Sequence, residues 1–187
     1  MFCWDWHDFE DETNSSDHDE YEQYWSEPTE HVVRKFWAGR KLEDGYHYSV
    51  GFEKLTDNRM IEAFVGDTHH EGKPLIMPES GAWAVVFDLA SGENQYQHVA
   101  LRNPRQVRDV LNGVACAVYD HYNVTKAGLY VWYAAREDLI DFYDSVLGHG
   151  KVQNFNLKSI PKADNLKSEV NGRGYAIVTK YYNHPDC

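Results

Sequence analysis

Two apolar runs on either side of a helical pattern constrain the fold of this chain more than any other feature. The first run, Ala82–Leu89, is nearly all apolar, which predicts a central strand with both faces buried. Apolar side chains then recur with a period of about 3.6 over residues 105–121, which predicts an amphipathic helix with Pro104 at its start. The second run, residues 129–134, predicts another buried strand. This order of strand, helix and strand is typical of an α/β domain.

The remaining elements are shorter and are predicted from periodicity and turn residues. Residues 67–80 form a predicted loop, because Gly72, Pro74 and Pro78 interrupt any regular pattern. Further strands are predicted at residues 46–53, 60–65, 96–101, 152–157 and 175–182. Further helices are predicted at residues 30–42 and 136–147, the second ended by Gly148.

Acidic side chains are concentrated at the start of the chain. Residues 1–30 hold eleven of the thirty carboxylates and no lysine or arginine, whereas residues 31–187 hold nineteen carboxylates against eighteen basic side chains. The chain therefore divides into an acidic N-terminal segment, residues 1–30, and a nearly neutral domain, residues 31–187. A domain of roughly 150 residues is long enough to bury a substantial core.

The N-terminal segment is also rich in aromatic residues. It holds seven of them, three of which are tryptophans, and disordered segments normally lack so many. Aromatic side chains among carboxylates suit anchoring in an apolar groove with a basic rim, so we expect a protein partner with a basic surface. The candidate partner-binding residues are Trp4, Trp6, Phe9, Asp17, Asp19, Glu20, Tyr24 and Trp25. Two alternatives stay open: the segment mimics DNA, since its charge equals that of about five to six base pairs, or it is a solvated tail.

Charge and cysteine content argue against several classes of protein. The clustered carboxylates would repel phosphates and no basic stripe compensates them, so direct nucleic-acid binding is not expected. Cys3, Cys116 and Cys187 are odd in number and far apart, which indicates a reducing cytoplasm rather than a disulfide framework. No apolar run approaches the ~20 residues of a membrane span, and a signal-peptide pattern is lacking, so no membrane contact is expected.

The order of predicted elements and one short motif resemble the GNAT superfamily of N-acetyltransferases. The central helix leads into an apolar strand, and that strand leads into a short helix that ends Phe-Tyr-Asp-Ser-Val-Leu-Gly at residues 142–148. The resemblance covers roughly residues 46–182, and the chain is also similar to small GNAT-like proteins of tailed bacteriophages. It implies a mixed central sheet flanked by helices, and it implies that Tyr143 lies near the acetyl-CoA thiol as a candidate general acid.

One departure from the family pattern bears directly on activity. In the family, a glycine-containing loop at the start of the central helix lets backbone N–H groups approach the CoA pyrophosphate. The matching stretch here contains no glycine, and Pro104 removes one donor. Only the side chains of Arg102, Arg105 and Arg108 remain as candidate cofactor-binding groups. We therefore expect CoA to bind weakly or not at all, and we expect no cofactor.

These observations favour a non-catalytic accessory or inhibitory protein that docks a partner through residues 1–30. It would act in the cytoplasm, which is the host cytoplasm if a phage encodes it. The alternative is a CoA-dependent N-acyltransferase with acetyl-CoA as its cofactor. In that case Tyr143 is the general acid, and Glu53, Glu62 or Asp88 is the base. Without a cofactor, the position of Tyr143 on the apolar face of its predicted helix favours a core tyrosine whose hydroxyl bonds to the backbone.

Two further groups are interpreted as structural. His69 and His70 are adjacent in a predicted loop and lack a third ligand at a suitable spacing, so no metal site is predicted. Cys116 lies within the predicted central helix, where a packed thiol is expected rather than a nucleophile.

Overall fold

The computed structural model describes residues 31–38, 46–89, 104–135, 137–147 and 160–184 of the chain. Within these ranges the chain forms eight β-strands and three α-helices. The strands are β1 (His31–Ala38), β2 (Tyr46–Leu55), β3 (His69–His70), β4 (Lys73–Pro74), β5 (Ala82–Leu89), β6 (Leu129–Tyr133), β7 (Asp164–Lys167) and β8 (Gly174–Val178). The helices are α1 (Asn58–Val65), α2 (Pro104–Thr125) and α3 (Asp138–Leu147).

Six of the described strands form one mixed sheet in the order β1-β2-β5-β6-β8-β7. Its neighbouring strands are antiparallel except for β5 and β6, which run parallel and are connected through α2. The strands β3 and β4 pair with each other in a separate hairpin. Helices pack on both faces of the large sheet. The prediction of an α/β domain with a mixed sheet flanked by helices is therefore confirmed for the described residues.

The parallel strands β5 and β6 stay together only at their beginnings. Their pairing runs from Ala82 opposite Leu129 to Ala84 opposite Val131 and goes no further. The strand β5 nevertheless continues as far as Leu89, because β2 pairs with it on the other side. The carboxyl-terminal ends of β5 and β6 therefore diverge and leave a gap in the sheet.

The helix α2 covers the face of the sheet that carries the larger side chains. Alternation along the strands directs Phe52, Trp83 and Tyr130 to this face, where they belong to one core cluster with Val118 of α2. The helix α3 packs on the same face, where Tyr143 contacts aromatic side chains of the sheet. We call this side of the sheet the α2 face.

The helix α1 covers the opposite side, which we call the α1 face. Ile61 is fully buried there, in one cluster with Ala84 and Ala176 of the sheet. Gly174 allows a close approach of the helix, because a Cβ atom at this position would overlap the carbonyl oxygen of Phe64. Small residues in the strands thus let the helix backbone lie directly against the sheet.

The predicted helix at residues 30–42 is wrong, because His31–Ala38 forms the strand β1. It pairs with β2 over its whole length, from His31 opposite Glu53 to Ala38 opposite Tyr46. β-Branched and aromatic residues spaced for one face of a helix are also favourable in a strand. The free edge of the long strand β2 supplies backbone hydrogen-bond partners, and these partners favour a strand over a helix for residues 31–38.

The predicted strand at residues 60–65 is also wrong, because this stretch belongs to the helix α1. The Asp57 carboxylate accepts a hydrogen bond from the Met60 backbone N–H at 3.0 Å and caps the helix. Gly66 ends it with a φ of 56°, a conformation that favours glycine. The capping residue before the apolar stretch is the signal that distinguishes this helix from a strand.

The other predicted helices and strands agree in type where the structure describes them. The predicted loop at residues 67–80 instead contains the short β3–β4 hairpin, and the strand β7 was not predicted. The segment 1–30 and the predicted strands at residues 96–101 and 152–157 lie outside the described residues. The division of the chain at residue 30 stays a prediction.

Candidate ligand-binding cleft

A cavity of about 430 Å³ lies beneath α2, where β5 and β6 diverge. This volume falls within the range of small-molecule sites in proteins. Its floor is formed by Val85 and Phe87 of β5, Trp132 of β6 and Ile177 of β8. Its roof is formed by apolar side chains of α2, namely Val110, Leu111, Val114, Ala115 and Val118. The rest of its wall comes from α3 and from the residues before and within β7, namely Tyr143, Leu147, Ile160, Pro161, Lys162, Ala163 and Asn165.

The location of the cavity agrees with a general property of open α/β sheets. Ligands of such sheets bind in the crevice at the carboxyl ends of parallel strands, where neighbouring strands separate. Val85 and Phe87 lie on the part of β5 that no longer pairs with β6. The missing strand neighbour leaves open the space that a continuous sheet would fill.

Tyr143, the residue predicted as a general acid, lies on the wall of this cavity. Its side chain is only 8% exposed, and its ring centroid lies 6.2 Å from that of Phe87, 6.3 Å from that of Trp132 and 5.3 Å from that of Tyr175. Edge-to-face contacts of this kind also hold a purely structural tyrosine. Burial alone therefore does not distinguish a functional tyrosine from a structural one. The position of Tyr143 on the cavity wall would allow it to contact a molecule bound there.

A polar network holds α3 beside the cavity. The Tyr175 hydroxyl donates a hydrogen bond to Asp144 Oδ1 at 2.8 Å, and Lys167 Nζ lies 2.7 Å from Asp144 Oδ2. Burial, followed by the hydrogen bond to Asp144, raises the pKa of Tyr175 above its ordinary value. Tyr175 therefore remains protonated at neutral pH and serves as a hydrogen-bond donor.

The mouth of the cavity is more polar than its interior. Pro161, Lys162 and Asn165 line the cavity and are exposed to solvent. Asn165 Nδ2 donates to the Leu147 carbonyl oxygen at 3.3 Å, which joins this rim to the end of α3. Lys162 has a φ of 57°, in the left-handed region that favours glycine.

The structure describes the side chain of only one predicted cofactor-binding arginine. Arg108 is exposed on α2, on the same side of the helix as Leu111 and Ala115, which line the cavity. Arg102 and the side chain of Arg105 lie outside the described residues. The cofactor-binding role of these arginines stays a prediction.

The sheet separates two of the candidate bases from Tyr143. Glu53 lies on β2 at a position that alternates to the α1 face, and Glu62 is exposed on α1 itself. The side chain of Asp88 lies outside the described residues. A base that serves the cavity would therefore have to be a group other than Glu53 or Glu62.

The described ranges contain no group of three side chains that could together hold a metal ion. His70 Nε2 lies 3.0 Å from Asp164 Oδ2, and its ring packs edge-on against Tyr182 at 5.7 Å. The neighbouring His69 is exposed, and Cys116 is half-buried on α2. The interpretation of these residues as structural stays a prediction.

Neither the cavity nor its polar rim was predicted from the sequence. Proline followed by a residue with positive φ is typical of a type II turn, and Pro161 with Lys162 has this pattern. Of this pattern only Pro161 is visible in the sequence, and it does not reveal which distant residues the turn contacts. The predicted partner-binding residues of segment 1–30 lie outside the described residues, and their role stays a prediction.

No family model, curated protein or solved structure matches this chain. The resemblance to the GNAT superfamily therefore rests on the order of elements and on residues 142–148. Among the residues that the structure describes, no helix is long and apolar enough to cross a membrane.

Proposed function

We propose that this domain binds a flexible apolar chain, the alkyl or acyl part of a small molecule, in the cleft between the diverging ends of β5 and β6. The observation that carries the proposal is the cavity of about 430 Å³ with its apolar floor and roof. At about 30 Å³ for each water-sized group, this space holds roughly fourteen non-hydrogen atoms. Each CH₂ group buried in such a site contributes about 0.8 kcal/mol of binding free energy.

The extent of the roof favours an elongated ligand over a compact one. Val110 and Val118 both line the cavity, and a rise of 1.5 Å per residue places them about 12 Å apart along α2. A slot of this length between a helix and a sheet suits an extended chain of about eight to twelve carbon atoms. Phe87 and Trp132 supply flat surfaces on the opposite side.

Thermal melting of the full chain with 1-octanol, a neutral ligand of matching length, tests the proposal. A ligand that binds only the native state raises the unfolding free energy, by about 2.7 kcal/mol at 100 times its dissociation constant. Val114→Trp fills the cavity from α2 and should abolish the rise in melting temperature. Val124→Trp is the matched control, because Val124 lies on the same helix and is 76% exposed.

Two outcomes would overturn this proposal. The first is an unchanged melting temperature of the wild-type chain with 1-octanol, and the second is a rise that persists in Val114→Trp. Ala115→Leu fills the cavity by a smaller amount and replaces Val114→Trp if that variant does not fold. It should weaken the binding of 1-octanol while leaving the far-ultraviolet spectrum unchanged.

The position of Tyr143 on the cavity wall favours a second function, the transfer of an acyl group from CoA to an amine. In that reaction the amine nitrogen bonds to the thioester carbonyl carbon, the C–S bond breaks, and the departing thiolate takes a proton from the Tyr143 hydroxyl. The acylated nitrogen then loses its extra proton, which returns through solvent to the Tyr143 phenolate, so the products are an amide and CoA thiol. The glycine-free stretch before α2 argues for weak CoA binding. Release of CoA from octanoyl-CoA in the presence of an amine, lost in Tyr143→Phe, would support an enzyme over a binding protein.

The composition of residues 1–30 favours a further role for the whole protein, docking to a basic protein surface. Eleven carboxylates and seven aromatic residues in one segment supply long-range attraction and apolar anchors together. Once a partner is captured from a native host lysate, Trp6→Ala and Trp25→Ala should raise its dissociation rate. Charge reversal at Asp17, Asp19 and Glu20 should flatten the salt dependence of association. If only the charges matter, DNA mimicry becomes the better interpretation.

A further inference from the structure

Lys162 occupies an unusual position at the mouth of the cleft. It lines the cavity, its side chain is exposed, and its backbone φ is 57°. Glycine is the ordinary residue in this left-handed conformation, because any side chain there is sterically unfavourable. A lysine at this place in the turn adds a cationic side chain to the rim of a largely apolar site.

The charges around Lys162 leave this ammonium group available to a ligand. Among the described residues, none forms an ion pair with Lys162. Lys167, another described lysine close to Lys162 in the sequence, lies 2.7 Å from Asp144 and is already paired. Asp164 alternates to the α1 face, where its carboxylate lies 3.0 Å from His70.

We infer that the ligand of the cleft is a medium-chain alkyl carboxylate, with its chain under α2 and its carboxylate on Lys162. This inference rests on the proposed function, because it needs the apolar cavity to hold the chain. A carboxylate can accept a charge-assisted hydrogen bond from the ammonium group while its chain enters the cavity. The estimate of roughly fourteen non-hydrogen atoms for the cavity corresponds to a fatty acid of about eight to twelve carbons.

The test is a calorimetric titration of the full chain with octanoate and with 1-octanol, which share a chain and differ in charge. We expect the wild-type chain to bind octanoate about two- to fivefold more tightly than 1-octanol, since Lys162 is exposed and its ion pair is partly screened. Lys162→Gln should remove this preference and leave the affinity for 1-octanol unchanged. Lys162→Arg should retain the preference.

Lys126→Gln is the matched control for Lys162→Gln. Lys126 is also an exposed lysine with a positive φ, of 55°, and it does not belong to the lining of the cavity. This variant should bind both ligands as the wild-type chain does. A salt titration provides an independent test. Salt should weaken the binding of octanoate to chains that keep a cation at position 162, and it should leave the other affinities unchanged.

The outcomes separate this inference from the function on which it rests. Equal affinity of the wild-type chain for octanoate and 1-octanol would overturn the role of Lys162 and keep the apolar cleft. Equal losses for both ligands in Lys162→Gln would also overturn it, because the lysine would then act on the shape of the mouth. Absence of binding by both ligands would overturn the proposed function itself.

Discussion

The two faces of the sheet differ in how closely a helix packs against them. On the α1 face, Ile61 and Ala84 are fully buried, and Gly174 lies against the helix backbone. On the α2 face, the strands carry aromatic and large aliphatic side chains, yet β5 and β6 separate and a cavity of about 430 Å³ remains. Small side chains thus allow close packing on one face, whereas large side chains on diverging strands hold the helix away on the other.

Because of this difference in packing, the two faces contribute differently to the stability of the domain. Close packing on the α1 face contributes to stability, since each buried atom there has neighbours on every side. The atoms that line the cavity lack neighbours on one side, so their contribution to stability is smaller. A ligand in the cavity would supply the missing contacts. The following substitutions test this difference, from the largest expected effect to the smallest.

Gly174→Ala should cause the largest loss of stability, at least about 3 kcal/mol of unfolding free energy. The added Cβ atom would overlap the Phe64 carbonyl oxygen in the helix backbone, which cannot move aside as a flexible side chain can. Gly72→Ala is the control, because its Cβ atom would meet nothing within 4 Å and only its φ of 78° is unfavourable. The control should lose about 1 kcal/mol. Urea unfolding measures both, and equal losses would contradict the close packing of α1.

Ile61→Ala and Ile177→Ala make the same change on the two faces. Ile61 is fully buried on the α1 face, so its truncation should cost about 3 kcal/mol through lost contacts and a new cavity. Ile177 lines the existing cavity, so its truncation should cost less than about 1.5 kcal/mol. Chemical denaturation of the two variants gives the difference. The comparison of the faces fails if Ile177→Ala is the more destabilised of the two.

Ala84→Leu and Ala115→Leu add the same volume to the two faces. Ala84 is fully buried on the α1 face, where overpacking should cost about 1 to 3 kcal/mol. Ala115 lines the cavity, so the larger side chain should enter open space and change stability by less than about 0.5 kcal/mol. Melting temperatures of the two variants check this. A large loss in Ala115→Leu would show that the cavity is already filled.

Stability should also fall in alkaline solution through the buried tyrosines of the α2 face. Burial is the main cause that raises the pKa of both Tyr130 and Tyr175 above the ordinary value of 10.0. The unfolded chain therefore loses these protons first, so the stability is complete below about pH 10 and is lost as the pH rises further. The hydroxyl groups of Tyr130 and Tyr175 should each lower the folding equilibrium constant about tenfold for every pH unit above about pH 10.

The variant Tyr130→Phe tests the contribution of one buried tyrosine to this alkaline loss of stability, because it removes the ionisable hydroxyl. It also removes the 2.8 Å hydrogen bond between that hydroxyl and His121 Nδ1. Its unfolding free energy should fall less steeply between about pH 10 and pH 11 than that of the wild-type chain. Tyr133→Phe is the control on the same strand, at a tyrosine that is 42% exposed. An unchanged slope in Tyr130→Phe would mean that other groups cause the alkaline loss.

The elements that were predicted well are those whose signal lies within one stretch of chain. The apolar run of β5 and the helical period of α2 each favour one type of element without help from elsewhere. The two wrong predictions, at residues 30–42 and 60–65, concern short stretches with ambiguous periodicity. Pairing with β2 makes residues 31–38 a strand, and the cap at Asp57 begins a helix at residues 58–65. Among the predicted site residues that the structure describes, Tyr143 alone lies on the cavity, and its prediction depended on the GNAT resemblance.

The sequence by itself determined the central strand, helix and strand. In a long element the apolar residues recur with the period of the helix or strand that buries them, so the pattern identifies the element. It also determined the charge division at residue 30, since composition does not depend on the fold. Only the tertiary structure decided where β5 and β6 part, and that point creates the cavity. The floor at Val85, the roof at Val114 and the rim at Lys162 are far apart in sequence, and only packing brings them to one site.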